Sequence, residues 1–218
     1  MKQIVAINAS PRIGWNTSTL VSEGVRGAES EGAAVTVFDL YKLEKFTGCI
    51  SCFGCKLPAS KGKCIYQDGL APVLEGIRHA DGLIIGTPNY LGDVSAVFRA
   101  LYERLIFQFI TYKKEQESYN DRKIPVLFIM TSNAPEEFYT SEGYYGNMIS
   151  GYQNSMNNFI GPTKVMLCAD TLQVNDYDKY DWTMFDPEAK KARHETEFPK
   201  EKQEAFQLGA ELVKNPWQ

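Results

Sequence analysis

Long apolar runs are missing from this sequence: no stretch of its 218 residues approaches membrane-spanning length. Surplus positive charge is missing too. Lys and Arg number 23 against 27 Asp and Glu, a formal net charge of −4, so nucleic acid and anionic lipid find no broad attraction. Histidine is scarce: His79 and His194 stand alone, and His79 falls on an expected helix away from the strand ends, a structural position. The opening "MKQIVAINAS" lacks the apolar stretch and small-residue cleavage site of a signal peptide. The expectation is a cytoplasmic, reduced protein, where structural disulfides are disfavoured and metal or redox cysteines favoured. Repeats, low-complexity tracts and linkers are absent as well. With 44% hydrophobic and 23% charged residues, the chain reads as one soluble domain over 1–218 with a full core.

Five short β-rich runs are present: Gln3–Ala9, Ala34–Leu40, Gly82–Thr87, Pro125–Thr131 and Lys164–Ala169. Helical periodicity fills the gaps. Leu20, Val21, Gly24, Val25 and Ala28 make one apolar stripe. Leu74 and Ile77 suggest a helix before the third run, Val97, Leu101, Leu105 and Ile106 another after it, and Met148–Phe159 a helix before the fifth. This alternation argues for a parallel sheet covered on both faces. The polar segment Thr111–Arg122 reads as an exposed excursion, and the aromatic, acidic stretch Gln173–Phe185 opens a C-terminal extension over 173–218. In such sheets ligands sit beyond the carboxyl ends of the strands, near the switch in strand order. The residues after strands one, three and four are therefore the candidates.

"NASPRIGWNTSTL" follows the first strand and opens the first helix. It is neither the dinucleotide glycine fingerprint nor the Lys-bearing loop of nucleoside triphosphatases. It offers Ser10, Asn16, Thr17 and Ser18 as neutral donors and Arg12 as a fixed charge. A helix N-terminus adds free N–H groups and the positive end of its dipole. The set suits a mononucleotide phosphate. Plain N-capping accounts for the same residue types.

The stretch "SPRIGWNTSTL" resembles the phosphate loop of the NADPH-dependent FMN reductase family, and "HADGLIIGTPNYLGDVSAVFRALYERL" resembles its second signature. The resemblance covers roughly Lys2 to Leu105. It implies an α/β, flavodoxin-like, three-layer doubly wound fold with a five-stranded parallel sheet of order 2-1-3-4-5. It implies that Ser10, Arg12, Asn16, Thr17 and Ser18 hold the FMN phosphate, and that the turn Pro88, Asn89, Tyr90, Leu91, Gly92 lies against the flavin ring. Thr131, Ser132 and Asn133, after strand four, are then candidates for the ring edge. No catalytic side chain is expected, because the flavin carries the chemistry and the protein binds, orients and tunes it.

Four of the five cysteines, Cys49, Cys52, Cys55 and Cys64, fall in "GCISCFGCKLPASKGKC" with the pattern C-x2-C-x2-C-x8-C. Two-residue gaps let successive thiolates turn toward one iron–sulfur cluster. Four thiolates also suit zinc, and four free thiols remain a third reading. The motif resembles that of the iron–sulfur flavoproteins, a branch of the same family that carries [4Fe–4S] beside FMN. Its last gap is longer than the compact pattern. Cys168, inside strand five, reads as a small buried residue.

Three functions follow. The first is an FMN-dependent NAD(P)H oxidoreductase of flavin or quinone type, passing a hydride through FMN N5 to an acceptor. The second is an iron–sulfur flavoprotein electron carrier taking electrons from a ferredoxin. The third is a flavodoxin-fold binding module without turnover. Family resemblance further implies a homodimer or homotetramer, with Tyr177–Phe185 and the excursion after Phe107 as candidate contacts. No nucleic acid or membrane partner is expected.

Overall fold

In a computed structural model, which describes residues 1–217, the strands are β1 (Gln3–Asn8), β2 (Ala34–Asp39), β3 (Gly82–Tyr90), β4 (Asp93–Val94), β5 (Val126–Thr131) and β6 (Thr163–Cys168). The main sheet runs β2-β1-β3-β5-β6, all parallel. Numbered among parallel strands alone, this is the expected order 2-1-3-4-5. The difference is β4, a short strand that turns back antiparallel on the end of β3. It exists because β3 runs on to Tyr90, three residues past Thr87, where the apolar run was expected to stop.

The helices are α1 (Asn16–Ser30), α2 (Ala71–His79), α3 (Ala96–Phe107), α4 (Gly146–Phe159), α5 (Pro187–Thr196) and α6 (Phe198–Lys214). They cover both faces of the sheet, which explains why the central strands are apolar without alternation: β5 is buried at every residue. On one face α2, α3 and α4 pack Leu74, Phe98 and Tyr152 against Val5, Ile85 and Phe128. On the other, α1 and α6 pack Leu20, Leu208 and Leu212 against Ile4, Ile84 and Leu127.

The last helix was not legible as a layer. α6 crosses α1 with backbone against backbone: a Cβ on Gly27 would lie 1.9 Å from the Phe206 carbonyl oxygen, and one on Gly209 2.0 Å from that of Gly24. Among the described residues, no helix is long and apolar enough to cross a membrane.

Strand order reverses between β1 and β3. The connections leaving these two neighbours run to opposite sides, which opens a crevice at their carboxyl ends.

Candidate functional site

The loop from β1 to α1 is held by its own backbone and side chains. Asn8 Oδ1 accepts the Ser10 N–H at 3.2 Å, and Ser10 Oγ accepts the Arg12 N–H at 3.2 Å. Ser18 donates to the Arg12 and Trp15 carbonyls, each at 3.2 Å. Helix α1 then begins after Trp15 with no side chain capping it. The Asn, Thr and Ser of this stretch are therefore not its N-cap, and its first N–H groups face the crevice with the helix dipole behind them.

Residue size sets how deep that helix end sits. At Gly86, in β3, a Cβ would lie 2.2 Å from Val21 Cγ2 and 3.1 Å from Thr17 Cγ2. Glycine there lets the first turn of α1 press onto the sheet, and the Thr17 and Thr131 hydroxyls meet at 2.7 Å.

The turn after β3 is a two-residue hairpin, with Asn89 paired to Val94 and Tyr90 to Asp93. Both turn residues are left-handed, Leu91 at φ 56° and Gly92 at φ 82°. Glycine adopts this at no cost, whereas leucine is strained there. The Leu91 side chain is fully exposed at the tip. Asn89 fixes the turn, accepting the Gly92 N–H at 2.9 Å and donating to the Tyr139 hydroxyl. Burial pushes the Tyr90 and Tyr139 hydroxyls above the usual tyrosine range.

A third wall comes from the ends of β5 and β6. Thr171 donates its N–H and its hydroxyl to the Ser132 carbonyl, at 2.9 and 3.0 Å. Lys190, buried, donates to the Asn133 carbonyl at 2.9 Å and pairs with Asp170. The segment after β6 is tied to the first loop as well: Asn16 donates to the Leu172 carbonyl at 2.9 Å, and Arg12 to that of Gln173 at 2.7 Å. The Arg12 guanidinium also lies 3.6 Å over the Trp15 ring.

These walls enclose an open cavity of about 560 Å³, within the size range of small-molecule and cofactor sites. Ser10, Arg12, Asn16, Thr17, Pro88, Asn89, Tyr90, Leu91, Thr131, Ser132 and Asn133 all line it. Ser18 and Gly92 do not: Ser18 closes the first loop from behind, and Gly92 lies against Tyr145, whose ring would be 2.9 Å from a Cβ there. Trp15, Thr171, Leu172, Gln173, Val174 and Trp182 also line the cavity and were not anticipated. Trp182 stacks on Tyr180 with ring centres 4.5 Å apart. The aromatic stretch Gln173–Phe185 thus folds onto its own chain.

Residues 2–136 match the family model described as NADPH-dependent FMN reductase. The chain belongs to that family. Among curated relatives, an iron–sulfur flavoprotein of Methanocaldococcus jannaschii is 35% identical over 102 residues, 47% of this chain and 51% of the relative. The chain spans about half the length of the curated relatives it matches. Two solved structures share the fold. An NAD(P)H:quinone oxidoreductase from Methanothermobacter marburgensis gives a TM-score of 0.68 at 12% identity, covering 99% of each chain. An FMN-dependent NADH-azoreductase from Bacillus anthracis, in complex with FMN, gives 0.64 at 13% identity over 98% of this chain and 100% of that one.

The cysteine loop, between β2 and α2, makes a separate feature of this FMN reductase family member. Cys49, Cys52, Cys55 and Cys64 line a single pocket, walled by Ile50, Phe53, Ile65, Tyr66 and by Arg104, Phe107 and Gln108 of and just after α3. The space left between them is about 20 Å³, room for one water. All four are free thiols, Cys55 buried and Cys52 exposed. Burial pushes the Cys55 thiol up, against the pull of Lys56. Among the described residues, no three His, Cys, Asp or Glu side chains are grouped closely enough to hold a metal ion. Thiols are the donor type a thiophilic group takes, but their arrangement in this structure does not fit one. Ser51 and Phe53, flanking Cys52, are both left-handed, at φ 54° and 55°. Cys168 is buried in β6, as expected.

Helix α3 is the platform of this loop. Glu103 accepts the Cys49 N–H at 3.2 Å, and Gln108 Oε1 accepts that of Cys64 at 3.0 Å. Arg104, 2% exposed, pairs with Asp68 at 2.6 Å and donates to the Tyr66 carbonyl at 2.7 Å. Burial opposes the Arg104 charge, but Asp68 and the neighbouring Cys64 hold it on. Burial likewise pushes the Asp68 carboxyl up, and the Arg104 guanidinium with the Leu70 and Thr47 N–H groups brings it below the usual range.

Proposed function

We propose that this protein is an FMN-dependent oxidoreductase that takes reducing equivalents from NAD(P)H and delivers them to a flavin- or quinone-type acceptor. One observation carries the reading: the uncapped N-terminus of α1 opens into a cavity of about 560 Å³ whose other walls are the turn after β3 and the end of β5. FMN, when bound, would supply the redox chemistry that couples NAD(P)H oxidation to reduction of the acceptor.

The residues then have distinct tasks. Ser10, Asn16 and Thr17, with the first N–H groups of α1, receive the phosphate without Mg²⁺ or lysine. Backbone groups of Pro88–Leu91 and Thr131–Asn133 receive the polar edge of the ring. Lys190 and Thr171 hold the Asn133 and Ser132 carbonyls, so the second of these segments is fixed before a ligand arrives. Trp15, Tyr90 and Trp182 supply apolar walls against which planar groups stack.

Anaerobic mixing of the FMN-loaded protein with NADH or NADPH tests this directly. Bleaching of the flavin absorbance, reversed by a quinone, is the expected result. A protein that binds FMN but is reduced by neither nucleotide would be a binding module or a carrier instead.

A second reading has its own observation. Four cysteines that converge on one pocket favour an electron carrier with an iron–sulfur cluster, and the curated relatives are named iron–sulfur flavoproteins. Cys49, Cys52, Cys55 and Cys64 are the residues that would hold the cluster. Iron and acid-labile sulfide analysis of anaerobically purified protein separates the two readings.

A further inference from the structure

The turn after β3 is strained, and the side chains that hold it come from outside the cavity. Leu91 is left-handed at φ 56° without being glycine, and its own side chain is fully exposed, so burial of that side chain does not hold it there. Such conformations persist where the surroundings over-determine them, and they gather at ligand sites. The surroundings here are three tyrosines of one stretch of chain, Tyr139, Tyr145 and Tyr152, none of which lines the cavity.

Each tyrosine grips a different part of the hairpin. Tyr152, 5% exposed, donates to Asp93 Oδ1 at 2.6 Å and accepts from Arg99 at 3.0 Å. The same Asp93 oxygen accepts the Val94 N–H at 2.7 Å. The Tyr145 ring lies against Gly92 at the tip and packs on that of Tyr139, with centres 5.2 Å apart. The stretch that carries these rings is folded tightly on itself. A Cβ on Gly143 would lie 2.4 Å from the Glu137 carbonyl oxygen, and one on Gly146 1.9 Å from that of Thr140. Backbone presses on backbone there, which leaves the platform little freedom.

Tyr139 has the most direct line to the ligand walls. Asn89 lines the cavity, and its amide has a donor end and an acceptor end. The Gly92 N–H, 2.9 Å away, needs an oxygen. The other end of Asn89 is therefore its NH2 group, and the Tyr139 hydroxyl is the acceptor it finds. With both ends engaged the amide is fixed, and the Gly92 N–H stays tied back across Leu91. Ser132, in the wall after β5, lies beside the same hydroxyl. One phenol oxygen thus stands between the two backbone segments assigned to the ring edge. Phenylalanine would fill the same space and lose the link.

We propose that Tyr139 is a positioning residue for the flavin ring, whose hydroxyl locks Asn89, and through it the strained turn, against the wall after β5. The inference rests on the FMN reading above and adds to it a residue outside the cavity wall.

The test is fluorescence titration of the full chain with FMN and with riboflavin, which carries the same ring without the phosphate. Wild type, Tyr139→Phe, Asn89→Ala and the double variant are compared. Tyr139→Phe keeps the ring and its packing on Tyr145, and circular dichroism checks the fold; Asn89→Ala reaches the same link from the other side. The expected result is that Tyr139→Phe weakens both flavins by the same factor, about 3- to 10-fold for one uncharged hydrogen bond, and shifts the absorbance bands of the bound flavin. Thr17→Ala, on the phosphate side, should weaken FMN alone. In the Asn89→Ala background Tyr139→Phe should have no further effect, because the tyrosine acts through that side chain. Tyr144→Phe, at an exposed neighbour, should leave affinity at the wild-type value. The cycle measured with FMN decides even where riboflavin binds too weakly to titrate.

Unchanged affinity in Tyr139→Phe, a loss for FMN with none for riboflavin, or additive losses in the double variant would each overturn the assignment while leaving the FMN reading intact. A wild type that binds neither flavin would overturn both.

Discussion

Replacing Gly27 by alanine sets two effects of opposite sign against each other. In an isolated helix the change is favourable by about 1 kcal/mol, because alanine loses less backbone entropy. Here the new methyl would sit 1.9 Å from the Phe206 carbonyl oxygen, 2.8 Å from its carbon and 2.9 Å from the Ala210 nitrogen. All three are backbone atoms, so no side-chain rotation relieves the overlap. Helices α1 and α6 must separate, which opens space around Leu20, Leu208 and Leu212.

Overpacking of this kind costs about 1–3 kcal/mol where neighbours can adjust, and the upper end applies where they cannot. The net expectation is a loss of about 1–2 kcal/mol, which lowers the melting temperature by ~2–8 °C for a chain of this size. Gly151, in α4, is the internal control: nothing lies within 4 Å of its added Cβ. Gly151→Ala should raise stability by about 0.5–1 kcal/mol. Urea and thermal unfolding followed by circular dichroism measure both. A Gly27→Ala protein that melts at or above wild type would refute the claim that α1 and α6 meet backbone to backbone.

Other expectations follow from the site. Thr17→Ala removes the hydroxyl that meets Thr131 at the mouth of α1 and should weaken FMN binding by about 1 kcal/mol, or up to ~3 where the phosphate charge assists; a fluorescence titration with unchanged affinity would contradict the phosphate placement. The Asp68 carboxyl is held below its ordinary value of 3.8. Its contribution to stability is therefore fully present above the ordinary carboxylate pKa and is lost as pH falls through the folded value. Asp68→Asn should flatten that acid limb in pH-dependent urea midpoints, and an unchanged limb would exclude the Arg104 pair as its source. Light scattering at micromolar concentration should give a dimer or larger mass, and a monomer mass would rule out the proposed homo-oligomer.

The order of the strands came with the family resemblance, whereas the five parallel strands, the loop after β1 and the turn after β3 could all be read from the chain. Each is local: an apolar run, then a cluster of turn or donor residues at its end. Legibility failed where a wall depended on long-range packing. Trp182 lines the cavity from a stretch without period, and only its stacking on Tyr180 and the Tyr177 cluster explains its place. The helices α5 and α6 went unread because the aromatic, acidic stretch before them hides the return to helical period. Ser18 looked like another phosphate donor by composition, and its bonds to the Arg12 and Trp15 carbonyls show a different use. Cysteine spacing indicated a shared pocket but could not reveal Arg104 in its wall, which comes from a helix some forty residues away in sequence.

The crossing of α1 and α6 has a consequence for synthesis. The ribosome delivers α6 long after α1, so until α6 emerges the glycine face of α1 has no partner. The cavity's last walls, from Thr171 to Trp182, also emerge late. A nascent chain therefore carries the phosphate loop long before it carries a complete site. Cofactor can add its binding energy to the fold only once these walls have emerged, so elongation up to that point is an aggregation-prone interval. Truncation before α6 should leave a chain that free FMN does not rescue.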